Sequence, residues 1–217
     1  MRLLYRDDEL AVLDKPSGLL VHRGWANDRD VAVGRARAVL GAFVFPVHRL
    51  DRGASGALLF ALSGAVAAAL QELFESGEIE KRYLAIVRGV VPDQAVIDHP
   101  IPRREGGPRV PAVTEIRRVS AGWRVSLVEA RPRTGRLHQV RRHLKHLGHP
   151  ILGDSNYGDL RVNRAARDEH GLDRLALHAA GLRFMNPVTH AEIAVDSPLP
   201  EDLTGPLARL GLAWPQK

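Results

Sequence analysis

The stretch Pro46–Ser55, PVHRLDRGAS, runs directly into the apolar segment Gly56–Leu62, GALLFAL, and this junction constrains the chain most. His48, Arg49, Asp51, Arg52 and Ser55 can all ionise or hydrogen-bond, and the next seven residues need burial. Asp51 therefore stands between two arginines at the edge of a core, where it can be desolvated and still be paired. A contacting arginine lowers an Asp pKa by ~1–3 units, whereas burial raises it. Such opposed effects mark functional sites, but ordinary ion-pair networks produce them too. From these residues alone, Asp51 reads either as a working carboxylate or as a structural salt-bridge partner.

The partner class is narrowed by charge. Over 217 residues, 31 Lys+Arg against 25 Asp+Glu give a formal net charge of +6. That excess suits an anionic partner, with nucleic acid ahead of an anionic membrane, although it also serves plain solubility. With no cysteine, the chain has no disulfide, thiol nucleophile or Cys-based zinc site. The N-terminus MRLLYRDDELAVLDKP lacks the apolar region of a signal peptide. No apolar run reaches the ~20 residues that span a bilayer. A soluble, cytoplasmic protein is expected, with no membrane partner.

Periodicity predicts an α+β fold. Leu3–Tyr5 and Leu10–Leu13 read as a pair of short strands, and Val31–Leu40 as a helix. After the Gly56–Leu62 strand, Ser63 is a plausible N-cap for a helix over Gly64–Glu75 that Gly77 ends. Lys81–Val87, Val113–Val119 and Trp123–Glu129 alternate as strands, the last two around a turn at Ser120–Gly122. Arg103–Pro111 is polar and rich in Gly and Pro, and it reads as a mobile loop between strands. Leu137, Val140, Leu144 and Leu147 form the apolar stripe of a helix over Leu137–Leu147. Asn163–His170 and Pro200–Leu210 read as helices, Leu175–Phe184 and Glu192–Val195 as strands. No repeat period is visible. The sum is a mixed, largely antiparallel sheet flanked by helices.

A second chemically dense segment is Arg131–Arg142, RPRTGRLHQVRR. A helix beginning there with Arg136, His138 and Gln139 makes a natural anion site, because free N–H groups and the helix dipole favour negative charge. The plainer reading is a solvated basic helix face. The ten histidines, among them His143 and His146, supply no metal set at ligand spacing. Gly53–Ala54–Ser55–Gly56 does not meet the G-x-S-x-G pattern, and neither a P-loop nor G-x-G-x-x-G occurs. Tyr83 reads by default as a sheet-face aromatic.

Taken together, these segments resemble the RluA-type pseudouridine synthases. His48–Arg49–Leu50–Asp51–Arg52 with Ser55–Gly56 is similar to their H-R-L-D signature, and Asp14–Lys15–Pro16–Ser17–Gly18 to their K-P-x-G segment. Lys81–Arg82–Tyr83 resembles the motif of the active-site tyrosine, and Thr134–Arg141 resembles T-G-R-x-H-Q-[LIV]-R. Gly148–Asp154 and Leu177–Ala179 complete the pattern. Val21–Trp25, Ile151–Ser155 and Gly158–Arg164 look like the branch acting on tRNA.

The resemblance implies one synthase catalytic domain over residues 1–217, without an S4 module, that isomerises uridine to pseudouridine in tRNA, at the T-stem uridine 65. Asp51 would be the catalytic carboxylate, adding to C1′ or taking the C2′ proton. Arg141 would be its cation, and Tyr83 would stack on the uracil and help remove the C5 proton. Arg49 would fill the place of the flipped nucleotide or contact the displaced stack, while Arg136 and His138 bind the backbone. An isomerisation needs no cofactor and no metal, and RNA is the only partner implied, so a monomer suffices. The alternatives are an rRNA-directed synthase of this type and a non-catalytic RNA-binding protein of the same fold.

Overall fold

The computed structural model describes residues 1–22, 30–102, 106–122 and 124–214. The Arg23–Trp25 part of Val21–Trp25, residues 103–105 of the Arg103–Pro111 loop, and Trp123 lie outside the described residues. In chain order the first half runs β1 (Arg2–Arg6), β2 (Leu10–Lys15), α1 (Ala32–Leu40), β3 (Phe45–Pro46), β4 (Ser55–Ala61), α2 (Gly64–Ser76) and β5 (Glu80–Arg88). The rest runs β6 (Gln94–Asp98), β7 (Ile101–Pro102), β8 (Arg109–Val110), β9 (Val113–Gly122), β10 (Val125–Pro132), α3 (Gln139–His146), α4 (Leu160–His170), β11 (Leu177–Met185), β12 (Glu192–Asp196) and α5 (Glu201–Arg209). The fold is α+β, and the chain divides into two compact units: Met1–Lys81 with Ala179–Pro198, and Arg82–His178 with Leu199–Lys217.

In the first unit β4 is the hub. β2 pairs antiparallel along its length, from Leu10↔Ala61 to Lys15↔Gly56, and β1 continues the sheet beyond β2. β11 lies on the other side of β4, with β12 antiparallel to it. All seven β4 residues are buried, which is why GALLFAL has no polar alternation. α2 covers this sheet with Val66, Ala67 and Leu70, packed among Leu59, Ile79, Leu182 and Phe184. Burying each large side chain contributes about 1.5–3 kcal/mol. Ser63 accepts from the Val66 N–H, and Gly77 closes α2 in the left-handed region. Gly56 is required where β4 begins: its φ is +113°, and a Cβ there would sit 2.2 Å from the Ala179 carbonyl oxygen.

In the second unit β10 pairs antiparallel with β5 and β9, and β9 with β6. Strand β6 has no counterpart in the sequence reading, because Gln94–Asp98 is half polar and lies at the sheet edge. Part of the expected Arg103–Pro111 loop is paired: Arg109 and Val110 join Pro102 and Ile101. Arg109 is fixed further by hydrogen bonds to the His99 ring and the Pro100 carbonyl. β9 extends through the expected turn to Gly122, and reversal falls later, next to Arg124 at φ 63°. α4 starts earlier than its polar pattern suggests, because Asp159 accepts from the Arg161 and Val162 N–H groups as N-cap. α5 is tied down by its Asp202, which takes two hydrogen bonds from the buried Arg174. Among the described residues, no helix is long and apolar enough to cross a membrane.

Candidate active site

Asp51 sits half-buried in the tight turn that enters β4, where the Ala54 N–H donates to the Asp51 carbonyl. This turn is held from outside by Lys15–Gly18. The Gly18 N–H and the Lys15 ammonium both donate to the Arg52 carbonyl, at 2.8 and 3.3 Å. The Ser17 hydroxyl donates to the Gly53 carbonyl, and Arg52 Nε returns a bond to the Gly18 carbonyl. Lys15 is fully buried and also donates to the carbonyls of Pro16 and Leu19. A buried ammonium needs its donors used, so the K-P-S-G segment becomes a clamp on the loop that presents Asp51. Arg49 is exposed on the same loop.

His48 anchors the start of that loop rather than facing outward. Its ring stacks on Phe74 of α2 at 4.7 Å, and its Nε2 accepts the Leu59 N–H, continuing the β3–β4 pairing where no β3 carbonyl is available. Accepting at Nε2 demands the neutral ring. Burial, with the nearby Lys81 charge second, pushes its pKa down from 6.5 to about 3. Burial also pushes Lys81 down from 10.5 to about 8.

The two groups act in separate pH windows. The folded state resists protonating His48, so the unfolded chain binds more protons between about pH 3 and 6.5, and stability falls as pH drops through that window. Lys81 acts in the alkaline window instead, its burial penalty being relieved as pH rises from about 8 towards 10.5. His48→Gln keeps an acceptor for Leu59 and cannot charge. Urea unfolding from pH 7 to 4 is therefore expected to show a shallower loss of stability in His48→Gln than in the natural chain. Equal slopes would remove His48 from the acid response.

In the second unit, strand alternation decides which way Tyr83 points. Tyr83 pairs with Ala130, and Ala130 with Ile116, two residues from Thr114, so all four share one face of the sheet. α3 lies on that face, since Gln139 and His143 both hydrogen-bond the Thr114 hydroxyl. The neighbouring Arg82 points to the opposite face, where Glu129 is paired with Arg82, Arg117 and Arg131. Tyr83 and the Arg136–Arg141 segment are thus brought to one side of the sheet, half-buried and polar.

Within that segment the residues divide into those that build and those that present. Gln139 is buried: its amide donates to the Val113 carbonyl and Thr114, while its oxygen accepts from the Thr134 hydroxyl and the Arg136 N–H. It belongs to the scaffold and not to the anion site that the helix start suggested. α3 begins at Gln139 rather than Leu137 because His138 is left-handed, at φ 52°. Arg136 is half-buried and donates to the Pro111 carbonyl. His138 Nδ1 lies 3.0 Å from the Tyr157 hydroxyl.

Arg141 does not lie on a solvated basic helix face. It is buried and fork-bound to Asp154, Nε to Oδ2 and Nη2 to Oδ1, each at 2.7 Å. Asp154 is almost inaccessible and also accepts the Asn156 and Tyr157 N–H groups. Burial would raise its pKa, but Arg141 and those two amides outweigh it and hold the carboxyl below its usual range. The adjoining Gly153 is irreplaceable, as a Cβ would fall 1.8 Å from the Arg174 carbonyl oxygen. Asp154, Tyr157 and Lys15 are the site residues that sequence reasoning gave no role. Their signal was an acid, a phenol and an amine inside glycine-punctuated segments. Among the described residues, no group of three His, Cys, Asp or Glu is placed to hold a metal ion.

A family model described as RNA pseudouridylate synthase matches residues 9–146. The tRNA pseudouridine synthase C of Haemophilus ducreyi is 42% identical, over 90% of this chain and 89% of its own. The enzyme of the same name from Salmonella typhimurium is 41% identical, over 97% and 90%. Among solved structures, human RNA pseudouridylate synthase domain containing 4 matches with a TM-score of 0.82 and 31% identity, over 99% of this chain and 95% of that one.

Proposed function

The chain belongs to the RNA pseudouridylate synthase family, and from that membership we propose that it isomerises uridine to pseudouridine in tRNA, at the T-stem uridine 65. The observation that carries the tRNA reading is 42% identity to a tRNA enzyme over nine-tenths of the chain. The reaction breaks the N1–C1′ bond, turns the uracil and joins C5 to C1′, with the C5 proton lost and N1 protonated. It balances without a redox partner or energy source.

In this reading Asp51 is the catalytic carboxylate, with Arg141 as the counter-charge that keeps it ionised in a dry pocket. Tyr83 stacks on the uracil and assists removal of the C5 proton. Support comes from the way each is held: the Asp51 turn by Lys15–Gly18, Arg141 by Asp154, and Tyr83 by strand register. A uridine inside a duplex must leave the stack first, and Arg49, exposed on the Asp51 loop, is suited to take its place. Arg136 and His138 contact the RNA backbone, where shape dominates over base-edge readout on A-form RNA.

The test is incubation with unmodified tRNA and with rRNA fragments, followed by mapping of pseudouridine in each. Product at the T-stem uridine of tRNA alone is expected. Product only in rRNA would move the enzyme to the rRNA branch, and product in neither would leave an RNA-binding protein.

A further inference from the structure

Tyr157 has no role in the reaction as described, yet its hydroxyl joins two residues of the Arg136–Arg142 segment. Arg142 Nε lies 2.8 Å from the phenol oxygen, and His138 Nδ1 lies 3.0 Å from it. A guanidinium can only donate, so the oxygen accepts from Arg142. The one hydrogen the phenol owns is then directed at His138 Nδ1, which becomes the acceptor. In a neutral imidazole with Nδ1 accepting, Nε2 carries the hydrogen. The opposite arrangement would aim two donors at one phenol oxygen and turn its own hydrogen away from the ring.

The rest of the neighbourhood holds this geometry. The Tyr157 N–H donates to Asp154 Oδ1, so the carboxylate that fixes Arg141 also fixes Tyr157. The Tyr157 ring is flanked by Arg141, Arg142 and Lys145, with their charged groups 5.0, 5.5 and 5.8 Å from its centre. His138 meets the ring edge-on at 5.7 Å, from a left-handed backbone that non-glycine residues rarely adopt.

We infer that Tyr157 is a positioning residue which, through Arg142, holds His138 in the Nε2–H tautomer as a hydrogen-bond donor to an RNA backbone oxygen. The inference rests on the reading of His138 as an RNA contact, and it assigns the atom that makes the contact. An Nε2 donor suits an acceptor-only ligand such as a phosphodiester oxygen.

The experiment combines nitrogen-15 NMR of the histidine rings with kinetics on an unmodified tRNA transcript. In the natural enzyme the His138 signals are expected to show a protonated Nε2 and an unprotonated Nδ1. In Tyr157→Phe that preference is expected to disappear, and KM for the transcript to rise about fivefold, the worth of one hydrogen bond, with a smaller change in kcat. His138→Ala should raise KM similarly, and adding Tyr157→Phe to it should cost nothing further. A natural enzyme with Nδ1 protonated, or a Tyr157→Phe variant with an unchanged tautomer, would overturn the relay. An unchanged KM in His138→Ala, with the tautomer as expected, would instead remove the RNA contact and leave the relay standing.

Discussion

Asp51→Asn is expected to abolish pseudouridine formation while leaving the fold and RNA affinity intact. The turn that carries residue 51 is closed by its main-chain carbonyl and clamped through the carbonyls of Arg52 and Gly53, none of which the side chain supplies. Asparagine matches aspartate in shape, so only the charge and its proton chemistry are lost. Turnover is expected to fall by about 10,000-fold, the upper range for a positioned acid or base. The RNA dissociation constant should change little, since affinity for RNA comes chiefly from cations that neutralise phosphates and not from a carboxylate. Single-turnover conversion of tRNA, filter binding and thermal melting together provide the check. Conversion at a rate near that of the natural enzyme would sink the assignment of Asp51 to the chemistry.

The place of Asp51, though not its role, was legible in the sequence, because a polar segment beside an unbroken apolar strand has few places to go. GALLFAL forces a central strand, and the polar segment before it must then be the turn at the strand's mouth. The helix after it was equally readable, with Ser63 and Gly77 marking its two ends. Contacts made by side chains far apart in sequence were not. Nothing in local pattern says that Lys15 spends its charge on carbonyls, one of them 37 residues away, or that the basic helix after Thr134 buries its Arg141 and His143. Amphipathic periodicity assigns charged residues to water, and it fails wherever a buried carboxylate or carbonyl waits for them. Arg141 is such a case, because its partner Asp154 lies in a loop with no periodicity of its own.

Asp154→Asn should be the most damaging change outside the proposed catalytic residues. The amide keeps the volume but turns N–H groups towards a guanidinium that can only donate, leaving Arg141 buried without its fork partner. Breaking one side of a buried pair costs about 3–5 kcal/mol. Because Asp154 also takes the Asn156 and Tyr157 amides, the same change loosens the loop beside α3. A displacement of Arg141 by an ångström is worth about 100-fold in rate, whereas Arg136→Ala, which loses a partly exposed bond to Pro111, should cost far less. Lost stability and lost chemistry can be separated with the double variant Arg141→Met, Asp154→Leu. Apolar replacement of a buried pair is often neutral or stabilising, so the double variant should recover most of the melting temperature that Asp154→Asn loses. On the proposal that Arg141 is the cation holding Asp51 ionised, it should nevertheless form no pseudouridine. A double variant that is both stable and active would make Arg141 a structural residue and return Asp51 to whatever cation its own loop provides.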